Sequence, residues 1–128
     1  MKKDPVFYYC EHCGNLVEMV HDSQVPIICC GEPMTELVAN TTEGASEKHL
    51  PVAERHGDKI LVTVGAIHHP MSEEHSIDWI YLQTQHSGQL VKLEKDQKPA
   101  ANFSLADNDS PIAAYAYCNL HGFWKTLF

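Results

Sequence analysis

Basic residues are scarce in this chain. Nine Lys and Arg stand against 17 Asp and Glu, giving a formal net charge of −8. Nucleic acid is therefore a poor partner, because phosphate backbones are bound through a basic footprint. A secretory leader is also not evident: the opening MKKDPVFYYC has two lysines but no apolar core and no small-residue cleavage site. The longest apolar run, Ile60 to Ile67, is interrupted by Thr63 and Gly65 and falls far short of the roughly 20 residues that cross a bilayer. No segment has a helical hydrophobic period of useful length, and there is no internal repeat or low-complexity tract. These absences lead us to expect a soluble, cytoplasmic protein built mainly of β-strands, with no nucleic-acid or membrane partner.

What the chain does hold is thiol and imidazole. It has five cysteines and nine histidines in 128 residues. Cys10, Cys13, Cys29 and Cys30 lie in the first thirty residues, whereas Cys118 stands near the other end. In a reducing compartment clustered thiols more often hold metal than form disulfides. This distribution predicts two sites in two domains: a cysteine-knuckle module over 1–36, a polar linker over 37–48, and a second domain over 49–128.

In the first module, Phe7, Tyr8 and Tyr9 read as a short strand entering CEHCGN, with a return strand through Leu16, Val17 and Met19. VPIICCGEPM is then a second turn, and Gly14 and Gly31 each follow a cysteine pair, where tight backbone is needed. The spacing is CxxC, fifteen intervening residues, then adjacent cysteines. Two facing knuckles place four soft sulfurs around one ion, which suits iron or zinc better than a redox dithiol. Because Cys29 and Cys30 are sequential, the backbone must twist to present both sulfurs. Ligand type alone leaves open a zinc knuckle that only stabilises the module and an iron site that carries one electron.

The second domain reads as strands at 59–64, 77–84, 89–93, 112–117 and 123–125, with His86-Ser87-Gly88 as a hairpin loop. Short strands separated by Gly, Pro, Asn and Asp predict an antiparallel β-sandwich. His49, His68, His69, His75 and His121 accompany Cys118 there, most densely in AIHHPMSEEH and YCNLHGFW. Cys118 and His121 are three residues apart, a spacing at which one turn aims both at one ion. His68 and His69 point to opposite faces of a strand, so one of them coordinates, and Pro70, by extending the preceding residue, favours His69. His12, His21, His56 and His86 stand among polar residues and are expected to face solvent. A Cys118 nucleophile activated by His121 is the competing reading, but it leaves the other histidines idle. Imidazoles with one thiolate suit Fe(II) better than four-coordinate zinc.

Taken together, CEHC with CC, Glu47-Lys48-His49, His69-Pro70-Met71 with His75, and Cys118-Asn119-Leu120-His121-Gly122 resemble desulfoferrodoxin, the two-iron class of superoxide reductase, over the whole chain. The resemblance implies a desulforedoxin-like (rubredoxin-like) module followed by an immunoglobulin-like sandwich, and a homodimer. It implies a first iron on Cys10, Cys13, Cys29 and Cys30, and a catalytic iron with His49, His69, His75 and His121 in a plane and Cys118 axial. His68 drops out by the same comparison. The implied activity is one-electron reduction of superoxide to hydrogen peroxide without release of dioxygen, with electrons from a rubredoxin-like donor. Lys48, beside His49, is the natural local cation for the anionic substrate, since screening over about 8 Å makes nearby charge decisive. Glu47 is expected to close the vacant iron position in the ferric resting state. Two rival functions remain at this stage, a pure electron carrier with a closed second site and a zinc-stabilised interaction module.

Overall fold

The computed structural model describes residues 4–40, 46–65 and 70–128, with the side chains of Ser46 and Glu47 left aside. The chain divides into two compact units, Lys3–Val38 and Ala39–Phe128. The division falls at the start of the segment expected as a linker.

The first unit is small. Strand β1 (Phe7–Tyr9) lies between β2 (Leu16–Glu18) and β5 (Thr35–Glu36) in an antiparallel sheet, and β3 (Ile28–Cys29) pairs with β4 (Glu32–Pro33) in a separate hairpin. Phe7, Cys10 and Met34 are its buried hydrophobic residues, a core too small to hold such a short chain folded without a further crosslink.

The first described element of the second unit is one helical turn, α1 (Ser46–His49), at the end of the expected linker. Pro51 ends it, because the residue before a proline is pushed out of the α region. Seven strands follow: β6 (Pro51–His56), β7 (Lys59–Val64), β8 (Ile77–Thr84), β9 (Gly88–Lys92), β10 (Ala100–Ser104), β11 (Pro111–Cys118) and β12 (Gly122–Leu127). They form an antiparallel three-stranded sheet in the order β10-β7-β6 and a four-stranded one in the order β12-β11-β8-β9. Two sheets of three and four strands are the immunoglobulin constant-type count.

The alternation in β7 sends Ile60, Val62 and Val64 inward with no exposed surface. They meet Ile77, Ile80, Leu82, Ala114, Ala116 and Cys118 from the facing sheet, with Phe103 and Leu105 closing the cluster. Each large aliphatic side chain so buried contributes about 1.5–3 kcal/mol. The other face of the four-stranded sheet is aromatic: Trp79 stacks on Tyr117 at 5.5 Å between centroids, and Tyr115 on Phe123 at 5.2 Å.

The expected strands at 7–9, 59–64 and 77–84 have the same limits in the structure. Strands β6 and β10 and the two-residue β3, β4 and β5 were not expected. Charged Glu54 and Arg55 hide β6, which is an edge strand and tolerates polar residues on its open side.

Candidate metal centres

The four early cysteines converge. Their sulfur atoms lie within 4.8 Å of one another, with Cys13 Sγ 3.6 Å from Cys29 Sγ. The first knuckle is closed by backbone bonds from Gly14 N–H to the Cys10 carbonyl (2.9 Å) and from Cys10 N–H to the Asn15 carbonyl (2.8 Å). The second solves the problem of adjacent cysteines with a hairpin. Cys29 pairs with Glu32, and the two residues between them, Cys30 and Gly31, have φ values of 53° and 79°. Positive φ at both central positions is the pattern of a type I′ turn, in which a non-glycine residue is uncommon. The twist that the sequence requires is thus concentrated at Cys30.

Cys10 is buried, whereas Cys13 and Cys30 are exposed. The backbone N–H of Cys13, aided by that of His12, lowers the Cys10 thiol to about 6 despite burial. Cys30 is pushed up to about 12 by the side chains of Cys13 and Cys10, and Cys29 is raised by the same two neighbours. Cys10 thus gives a thiolate readily whereas Cys29 and Cys30 resist becoming further ones, as expected where negative charge needs a cation among the sulfurs.

In the second unit, the last residue of α1, the 72–76 loop and the turn between β11 and β12 meet. Atoms of His49, His75, Cys118 and His121 lie within 4.8 Å of one another. His49 Nε2 is 3.0 Å from His121 Nδ1, and Cys118 Sγ is 3.9 Å from that same nitrogen. Donors bound at about 2.0–2.3 Å to a single ion stand up to roughly 4–4.6 Å apart, so these spacings fit one metal. His49 and Cys118 are buried, while His75 and His121 are half-buried.

Each member has local support. Cys118 ends β11, where the register shifts against β8 between Tyr117 and Cys118. Its sulfur accepts the His121 N–H at 3.4 Å. Burial raises the Cys118 thiol, the N–H groups of His121 and Leu120 oppose that rise, and the Asp78 carboxylate adds to it. Burial lowers the His75 imidazole, with the His121, His49 and Lys48 charges acting in the same direction. A neutral imidazole is the ligating form. Trp124 serves two histidines together: its indole stacks on His49 with centroids 4.9 Å apart and planes inclined by 19°, and its Nε1–H donates to the His121 carbonyl at 3.1 Å.

Of the residues singled out in the sequence, His68 and His69 lie outside the described residues, as does the side chain of Glu47. Lys48 is exposed. His12, His21, His56 and His86 are exposed, and His12 pairs with Glu32 at 3.1 Å. Sequence reasoning did not identify Trp124 or Asn119 as supports of the site. Their only signal was membership of the Cys118–Trp124 stretch.

Comparison with known proteins agrees with this geometry. The desulfoferrodoxin N-terminal domain model matches residues 4–37, and the desulfoferrodoxin model matches residues 41–127. A desulfoferrodoxin of Syntrophotalea carbinolica is 44% identical over 119 residues, covering 93% of each chain. That of Nitratidesulfovibrio vulgaris is 42% identical over 118 residues, 92% of each. Among solved structures, the superoxide reductase of Treponema pallidum superposes with a TM-score of 0.84 at 34% identity, covering 98% of this chain and 99% of that one. The Giardia intestinalis superoxide reductase (1Fe-SOR) covers 64% of this chain and 97% of its own, with a TM-score of 0.57 at 28% identity. With both family models spanning nearly its whole length, the chain belongs to the desulfoferrodoxin family.

Proposed function

We propose that the chain is a superoxide reductase, an oxidoreductase that converts superoxide, one electron and two protons into hydrogen peroxide. The observation that carries this reading is the meeting of His49, His75, His121 and the buried Cys118 within 4.8 Å in a sandwich similar over its full length to a superoxide reductase. These four would hold iron, with His69 as the fourth imidazole, and Cys10, Cys13, Cys29 and Cys30 would hold a second iron. Iron bound by imidazoles and a thiolate supplies a one-electron reductant whose electron density the sulfur enriches.

The protein's own groups do the rest. N–H groups of His121 and Leu120 directed at Cys118 favour its thiolate inside an apolar core. Lys48 is exposed, and its charge reaches the His75 ring. It would draw a small anion toward the histidines against the repulsion of a −8 chain and would hold the water that donates protons. Glu47, its neighbour on α1, would close the iron position between turnovers. Electrons would come from a rubredoxin-like protein, and the working form would be a homodimer in the cytoplasm, a compartment whose reducing poise keeps all five cysteines out of disulfides and free to ligate metal. Among the described residues no helix is long and apolar enough to cross a membrane.

Metal analysis combined with pulse radiolysis of the reduced protein tests the proposal. About two irons per chain and fast, stoichiometric formation of peroxide without dioxygen are expected; zinc at both sites would refute it. Azide or cyanide should change the spectrum of the oxidised His/Cys centre. An unresponsive spectrum would instead favour a closed electron carrier.

A further inference from the structure

The two segments that deliver His75 and the Cys118/His121 pair lie 43 positions apart in sequence, and one exposed residue joins them. The Asn119 side chain accepts the Ser76 N–H through Oδ1 at 3.0 Å and donates through Nδ2 to the Glu74 carbonyl at 3.1 Å. It therefore grips the backbone on both sides of His75. The Asn119 N–H adds a third bond, to the Ser76 carbonyl at 3.1 Å. These bonds continue the β8–β11 ladder past its last pair, Cys118 with Ile77, where the register has already shifted.

The far side of the grip is anchored. Ser76 is fully buried. Its hydroxyl donates to Asp78 Oδ1 at 3.0 Å and accepts from Lys95 Nζ at 2.6 Å, and Lys95 also reaches Asp78 at 3.1 Å. His75 itself is closed into a turn by Ser72, whose N–H donates to the His75 carbonyl at 2.9 Å. Asn119 thus ties the turn carrying Cys118 and His121 to a loop that is internally braced and fixed to β8.

We propose that Asn119 is a positioning residue of the His/Cys centre, setting the distance of His75 from Cys118 and His121 before any metal arrives. The inference rests on the proposed iron centre. Bonds that orient ligands from outside commonly govern metal affinity by 10–100-fold. An exposed asparagine packs little, so its contribution lies in these bonds.

Two measurements test this on the full chain. In the metal-free protein, amide hydrogen exchange at Ser76 should accelerate at least about tenfold in Asn119→Ala and in the isosteric Asn119→Leu, as expected when a bond that protects the amide is removed. Protection in β7 and β8 should be unchanged. Unaltered exchange at Ser76 in both variants would overturn the proposal without touching the reading of the centre. In protein loaded with iron-57, Mössbauer spectra distinguish four-sulfur iron from iron with mixed nitrogen and sulfur ligands. Both variants should lose the mixed-ligand iron to a chelator at about tenfold lower concentration than the parent, with the four-sulfur iron retained as internal reference. Equal retention, or parallel loss from both centres, refutes a positioning role. A parent protein with no mixed-ligand iron refutes the centre itself, and with it this inference.

Discussion

Trp124 offers a sharp test of how the second centre is built, because one side chain supports two of its histidines by different forces. It is 3% exposed, donates to the His121 carbonyl at 3.1 Å, and stacks on His49. In Trp124→Phe the apolar ring remains but the N–H is lost. Removing one net hydrogen bond costs about 1 kcal/mol, and more if the abandoned carbonyl stays dry. Shortening the bicyclic ring withdraws roughly 40 Å² of buried apolar surface, which at about 25 cal/mol per Å² adds about 1 kcal/mol. The total of about 2 kcal/mol corresponds to a fall of roughly 8–16 °C in the melting temperature of a domain of this size. Calorimetry on metal-free protein reads this directly, following the transition of the second unit. The iron-loaded variant should also release its mixed-ligand iron at about tenfold lower chelator concentration. A metal-free variant melting within 2 °C of the parent, as about a quarter of the expected shift, would refute the claim that the indole holds the His121 turn.

Three further outcomes follow. Cys13→Ser should remove the four-sulfur iron while superoxide reduction persists, since the two clusters sit in separate units; lost turnover in a folded variant would establish an obligatory relay. Lys48→Ala should lower the second-order rate constant with superoxide about tenfold and alter its ionic-strength dependence, as expected for a steering charge; unchanged kinetics would dismiss that role. Finally, burial holds the His75 imidazole below its ordinary value of 6.5. The unfolded chain therefore takes up a proton as pH falls through 6.5 while the folded one resists. Metal-free stability should be full above that pH, decline below it, and level off under the folded value; denaturant midpoints from pH 8 to 5 measure this, and a His75→Gln variant should lose that part of the slope.

The donor atoms and their grouping were legible in the chain itself. CEHC with CC needs no fold to declare a thiolate site, because soft sulfurs spaced as knuckles have few other uses in a reducing environment. Cys118 with His121 was legible for the same reason, as both ride on one turn. Strands β7 and β8 were readable because buried β-branched and aromatic residues leave a local signature. His49 and His75 are different. His75 was singled out by the dense histidine stretch AIHHPMSEEH, but no local pattern says which ion it would reach, and His49 stands alone in its own stretch, so the full ligand set came only from motifs matched to a family. The fold brings α1 and the 72–76 loop to the end of β11, across 72 positions of sequence in the case of His49 and His121. The edge strands β6 and β10 were hidden because the polar residues on their open sides dilute the hydrophobic pattern.

Sequence by itself determined which atoms are available to bind metal and that they fall into two sets, because ligand chemistry belongs to side chains and short spacings. Tertiary structure decided how they meet. Positive φ at Cys30 turns adjacent cysteines toward one point. Trp124 sets two histidines at once, and Asn119 bridges loops 43 positions apart through bonds to backbone. Such bonds are indifferent to the residue types that they grip, so no sequence pattern announces them.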